Sequence, residues 1–163
     1  MLMHHEAYEF MRQFATADVL TVVEIGSRNV NGTARDHFPN AIWTGLDLYE
    51  GPCVDVVCDA QTWSAPALVD LVVCCEVLEH ARNWRDLIDT AEGWLKPGGR
   101  FLMTCAGPGR IVHSHIDGLE LRPGEYYTNL SEVDICLACL SSGLRHIRTM
   151  QHGNDTYAIA RKR

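Results

Sequence analysis

A short apolar run that stops on an acid and a glycine constrains this chain more than any other feature. Thr21-Val-Val-Glu-Ile25 reads as a buried strand, and Gly26 ends it. Turn-forming residues, Ser27-Arg-Asn-Val-Asn-Gly32, lead into a short helix expected over 33–38, which Pro39 stops. A second strand, expected over 42–48, closes on a carboxylate, Asp47, 21 positions after Gly26. This is how an α/β sheet builds a nucleoside site. The bare backbone at the first strand tip lets a ligand approach, and the acid on the second accepts hydrogen bonds from ribose hydroxyls.

The rest of the chain repeats that alternation. Apolar spacing at Ala7, Phe10, Met11 and Phe14 predicts a helix over 6–17. Further strands are expected over 54–58, 71–75 and 101–105, with a poor helix over 61–68 interrupted by Pro66. A helix over 84–95 should stop at Lys96-Pro97-Gly98-Gly99. Asn129 or Ser131 could cap a helix carrying Val133, Leu137 and Leu140, with Gly143 at its end. Segments 146–150 and 156–160 flank Gly153-Asn154-Asp155 and read as a closing antiparallel hairpin. The expected fold is a doubly wound, Rossmann-like, mostly parallel α/β sheet with a C-terminal hairpin. Ligand-binding groups should then gather at the carboxyl ends of its strands.

At 163 residues the chain is expected to form one domain, with residues 1–18 as a helical cover and 106–128 as a long polar loop. A net charge of −7 argues against a dedicated phosphate-tracking surface, so DNA binding is not expected. Nothing approaches the roughly 18 apolar residues of a membrane span. The N-terminus places His4, His5 and Glu6 where a signal peptide needs a basic start and an apolar run. It is expected to be a mobile end of a cytoplasmic protein. The seven cysteines fall mostly in apolar runs, and Cys136-x-x-Cys139 has no second pair at zinc spacing, so all are assigned to packing.

The loop after the first strand narrows the ligand. Counting from Gly26, the positions where a dinucleotide fold needs its second and third glycines hold Arg28 and Asn31. No Gly-Lys-Ser or Gly-Lys-Thr occurs either. A ligand with ribose and adenine but no phosphate to cradle remains.

Five segments in order carry a family likeness: V-E-I-G-S-R-N-V-N-G, G-L-D-L, C-D-A, L-V-V-C-C-E-V-L-E-H and L-K-P-G-G-R-F-L-M-T. With a weaker echo at Glu125-Tyr-Tyr-Thr-Asn-Leu-Ser-Glu132, the chain resembles the class I S-adenosylmethionine-dependent methyltransferases, closest to their type 11 branch. The resemblance implies S-adenosylmethionine as cofactor. It implies that Glu24, Gly26 and Ser27 line the methionine part, that Asp47 holds the ribose hydroxyls and that Leu48 lies against the adenine. Asp59 would accept from the adenine amino group and Ala60 would offer its backbone. Cys75 and Glu76 would flank the sulfonium. The family's usual glycine two places after Gly26 is Arg28 here.

A sulfonium methyl is already activated, so transfer needs alignment above all, which can lower a barrier by about 7–11 kcal/mol. A base is needed only where the acceptor must lose a proton, and histidine suits that task near neutral pH. His115 and His113, in the connection after the fifth strand, are the catalytic candidates. As a metal pair they lack an obvious third ligand, so no metal is expected. Glu79 and His80 follow Val77-Leu78 and either shape the turn before the Trp84 helix or, in the case of His80, take part in the site. With no inserted lid domain, the acceptor is expected to be a small molecule, a sugar or a glycan, and an oligomer stays possible. Two rival readings are a cofactor-binding regulatory or scaffold subunit that transfers nothing, and an NAD(P)-dependent oxidoreductase.

Overall fold

The computed structural model describes residues 5–163. In chain order, helix α1 (His5–Arg12) precedes strands β1 (Thr21–Ile25), β2 (Ile42–Asp47), β3 (Val56–Val57) and β4 (Val69–Cys75). Then come α2 (Trp84–Trp94), β5 (Leu95–Ala106), α3 (Glu132–Ser142), β6 (Arg145–His152) and β7 (Asp155–Arg161). Short 3-10 turns lie at Ala34–His37 and Leu78–His80. Among the described residues the strands form one sheet in the order β3-β2-β1-β4-β5-β7-β6. β1 to β5 run parallel, while β7 is antiparallel to both β5 and β6.

Both faces of the sheet are covered, which is why the central strands read as continuous apolar runs. Along β4, Leu71, Val73 and Cys75 pack with Ala7, Phe10 and Met11 of α1. Val72 and Cys74 point the other way, toward Ile88 and Ala91 of α2 and Ile135 and Cys139 of α3. The chain leaves β1 toward β2 on one side, and β1 pairs with β4 on the other. That reversal opens a crevice beyond the carboxyl ends of β1 and β4, where an open α/β sheet binds its ligand.

Several expectations are corrected in detail. His5 begins α1 instead of lying in a mobile end, whereas His4 lies outside the described residues. α1 ends at Arg12, short of residue 17. No helix forms over 61–68, where the chain makes turns and bends ahead of Pro66. β3 shrinks to Val56–Val57, because Asp55 uses its side chain, accepting from the Gly45 N–H at 2.7 Å and Arg35 at 2.8 Å. β5 resumes at Leu95, directly after α2, and its pairing with β4 shifts between Val69 and Leu71, so that Lys96 to Gly99 loop out of register.

Ser131, not Asn129, caps α3: its hydroxyl accepts from the Asp134 N–H at 3.2 Å while Asp134 accepts from the Ser131 N–H at 3.0 Å. Gly143 ends the helix in the left-handed region. The stripe formed by Val133, Leu137 and Leu140 faces outward, and α3 buries Ile135, Ala138 and Cys139 instead. Cys74, Cys75, Cys105 and Cys139 are buried, the other three cysteines are half-buried, and all seven are free thiols. Among the described residues no helix is long and apolar enough to cross a membrane.

Candidate functional site

A cavity of about 320 Å³ lies at the crevice beyond β1 and β4. Its volume falls at the lower end of the usual range for small-molecule sites. Ile25 and Gly26 at the tip of β1 form its floor together with Leu46 and Asp47 at the tip of β2. Gly26 has φ +74°, and a Cβ placed there would come within 2.3 Å of the Val77 side chain. Only glycine fits both the backbone conformation and the space. The Gly26 and Ser27 amides both bond the Leu46 carbonyl, at 2.8 and 3.0 Å, which ties this turn to β2.

Asp47 is held for work at the rim. Its Oδ2 accepts from the Arg28 N–H at 3.2 Å and its Oδ1 from the Tyr49 N–H at 3.0 Å. A carboxylate offers about four lone-pair sites, so acceptor capacity remains for a ligand's hydroxyls. Arg28 occupies the place of a glycine without blocking the cavity. Its side chain lies close over Gly51 and its guanidinium sits 5.4 Å from the centre of the Tyr49 ring. Leu48, Asp59 and Ala60 complete this side. Asp59 braces its own turn by accepting from the Gln61 N–H at 3.0 Å.

Four of the expected cofactor residues stand behind this wall instead of lining it. Glu24 is buried, and burial pushes its carboxyl up to about 8, against the pull of Arg35, whose Nε lies 3.8 Å away. Its Oε2 has no hydrogen-bond partner, and neither does the buried Ser27 hydroxyl. Cys75 is buried, and its thiol is pushed far above the usual range, so it stays protonated and inert. Glu76 sits in the left-handed region with φ +58°, a costly conformation for a non-glycine residue. Its N–H donates to the Thr104 carbonyl and its Oε1 accepts from the Thr104 hydroxyl, both at 2.8 Å, and Arg110 stands 3.9 Å from its Oε2.

The long connection between β5 and α3 brings the histidines to the opposite wall. Three ties fold it back over the sheet: Thr128 N–H to the Glu79 carbonyl at 2.8 Å, Leu130 N–H to the Ala106 carbonyl at 2.9 Å, and an ion pair between Arg110 and Asp155. His115 lines the cavity. Its Nδ1 lies 2.8 Å from Glu125 Oε1, and its ring stacks on Tyr49, whose hydroxyl is 3.4 Å from Nε2. Glu125 is further held by the Ser114 hydroxyl at 2.8 Å and the Arg122 N–H at 2.7 Å. A carboxylate on Nδ1 orients the ring and leaves Nε2 as the basic atom.

His113 turns away from that wall. Its Nδ1 lies 2.9 Å from the Ile111 carbonyl, and its ring packs edge-on against His80 and Tyr127. The turn before α2, for which the sequence left a structural and a functional role open, contributes to the cavity. His80 lines the cavity between Val77 and Ala81, and Glu79 beneath it is wholly buried. Tyr49 and Arg82, which line the cavity, escaped the sequence reading, whereas Glu125 stood in the Glu125-Tyr126-Tyr127 echo without an assigned role. The signal for His80 was present in Glu76-x-x-Glu79-His80, two acids and an imidazole at a strand tip, but only the return of the long loop reveals what faces them. Ala7, Phe10 and Met11 of α1 pack on the sheet, and none of its described residues lines the cavity.

A family model described as a methyltransferase domain matches residues 5–131. No curated protein matches the chain in sequence. Among solved structures, the fold is similar to Burkholderia thailandensis 1,6-didemethyltoxoflavin-N1-methyltransferase, seen with 1,6-didemethyltoxoflavin and S-adenosylhomocysteine. The TM-score is 0.73 at 16% identity, over 97% of this chain and 77% of that one. The Bradyrhizobium japonicum N-methyltransferase NodS, in complex with S-adenosylhomocysteine, gives 0.67 at 18% identity over 96% and 86%. A putative S-adenosylmethionine-dependent methyltransferase from Listeria monocytogenes gives 0.69 at 13% identity over 96% of each chain. At these identities the likeness is one of fold.

Proposed function

The chain belongs to the methyltransferase-domain family, and we propose that it transfers the methyl group of S-adenosylmethionine to a small-molecule, sugar or glycan acceptor, with His115 as general base. One observation carries this reading: Gly26, Asp47 and Asp59 share a single cavity with His115 on its facing wall. Asp47 would take the ribose hydroxyls, Leu48 and Ala60 the faces of the adenine, and Asp59 its amino group. Gly26 would let the methionine part approach β1. Glu24, Ser27, Cys75 and Glu76 would act from behind, by holding the strand tips.

The acceptor would enter under the loop that carries His115. Its nucleophilic atom attacks the methyl carbon in line with the carbon–sulfur bond. That bond's electron pair stays on sulfur, leaving the thioether, and an acceptor proton passes to His115 Nε2. Glu125 stabilises the imidazolium that results. A net charge of −7 and the absence of an inserted lid favour a small neutral or cationic acceptor over a polyanion.

Calorimetric titration tests the cofactor half of the reading. Asp47→Ala removes charge-assisted hydrogen bonds of about 1.5–3 kcal/mol each, so affinity for S-adenosylmethionine should fall by roughly a hundredfold or more. Unchanged affinity would refute the assignment of Asp47.

A further inference from the structure

Beside the cavity, and apart from the groups assigned to methyl transfer, Glu79, His80 and His113 bring one donor atom each within 4.8 Å of one another. We propose that these three side chains bind a divalent first-row transition ion such as Zn²⁺, Co²⁺ or Mn²⁺. This departs from the sequence reading, which paired His113 with His115 and found no third ligand. Both rings pack against His80, but His115 Nδ1 is taken up by Glu125, and only His113 brings a ring nitrogen into the group with Glu79 and His80.

Three observations point to a bound ion. The Glu79 side chain is fully buried, and the Glu79 and Ala106 backbone N–H groups near its carboxylate do not reach hydrogen-bonding geometry with either oxygen. A buried carboxylate without partners is among the most expensive groups a fold can carry. Both ring nitrogens of His80 are likewise unpartnered. His113 is already set as a ligand: with its Nδ1–H donated to the Ile111 carbonyl at 2.9 Å, its Nε2 carries the free lone pair. Tyr127 and His80 wall the ring in edge-on, which fixes its orientation.

Two imidazoles and one carboxylate form the three-ligand set of open metal sites, selective for ions that accept nitrogen over the oxygen-seeking Mg²⁺ and Ca²⁺. Ligands about 2.1 Å from one ion stand roughly 3–4 Å apart, so a side-chain movement of about an ångström closes the set. Because His80 also lines the cavity, the ion would border the same space as the substrates.

The test is metal binding itself, read without turnover. The full chain is stripped with a chelator and titrated with Co²⁺, following its visible d–d absorption, and Zn²⁺ is then added as competitor. One equivalent of Co²⁺, displaced by Zn²⁺, is expected. His80→Ala and His113→Ala should each weaken binding by more than the roughly 10- to 100-fold that an outer-shell partner is worth. Glu79→Gln should do the same, and if it fails to fold by circular dichroism, the loop variant His113→Ala still decides. His152→Ala, in the distant hairpin, should bind as the wild type does. No saturable binding, wild-type affinity in His113→Ala, or equal loss in His152→Ala would overturn the proposal. S-adenosylmethionine binding to the stripped protein is a separate arm. Its failure would count against the proposed methyl transfer while the Co²⁺ titration alone decides the metal site.

Discussion

At the residue scale the site divides its titratable groups by exposure. His115 sits at the cavity wall with its ring pinned between Glu125 and Tyr49, the position the proposed base requires. His115→Ala should lower kcat by about 10²- to 10⁴-fold while leaving S-adenosylmethionine affinity unchanged, as measured by single-turnover kinetics beside calorimetry. A turnover equal to wild type would take His115 out of the chemistry. Glu24 has the opposite circumstance, a buried carboxyl raised from 4.5 to about 8. Between those values the folded state holds a proton that the unfolded chain releases. The stability it contributes is therefore fully present below about pH 4.5 and lost as pH rises through about 8, by up to roughly 1.4 kcal/mol per pH unit. Glu24→Gln should flatten that slope in urea unfolding series at pH 5 and pH 8. Parallel curves for the two proteins would count against a buried, protonated Glu24.

At the element scale the site depends on how strands end. The turn after β1 works because Gly26 adopts φ +74° against the Val77 side chain. Gly26→Ala combines a strained backbone with a contact that must move, so it should destabilise the fold by about 1–3 kcal/mol and weaken cofactor binding together. Chemical denaturation and calorimetry on one preparation would show whether both fall. The strands were legible because period-2 and continuous apolar runs are local signals. The α3 face was not, since Val133, Leu137 and Leu140 keep helical spacing yet point to solvent. Which stripe of a largely apolar helix turns inward is decided by what β6, β7 and α2 offer it, not by the helix itself. The expected helix over 61–68 failed locally: Pro66 interrupts it, and Trp63 and Ala65 reach the core from an irregular backbone instead.

At the scale of the whole molecule, the sheet separates stability from chemistry. Opposite the cavity, at the amino ends of the strands, Asp70 accepts from the Thr21 N–H at 2.9 Å, the Thr21 hydroxyl at 2.7 Å and Lys96 at 2.8 Å, joining β1, β4 and β5. Lys96 chiefly holds its carboxyl down at about 2. A depressed value means the contribution is present above about pH 3.8 and lost as pH falls through about 2. The side chain is nearly a third exposed, so solvent screening reduces it. Asp70→Asn should cost about 1 kcal/mol at pH 7 with S-adenosylmethionine affinity unchanged, by denaturation and calorimetry in parallel. A large loss of affinity would mean the two ends of the sheet are coupled.

The amino-acid order alone determined the β1–β2 framework, the acid at each strand tip and the closing hairpin, because each is written in residues close together in the chain. Tertiary structure alone decided that Glu24, Ser27, Cys75 and Glu76 stand behind the cavity. It also decided that His113 and His115, both packed against His80, are held differently, His115 by Glu125 and His113 by the Ile111 carbonyl. Those placements depend on a long loop tied down by Thr128, Leu130 and Arg110 to partners distant in sequence. Such ties follow from hydrogen bonds and packing between remote segments, and no periodicity records them.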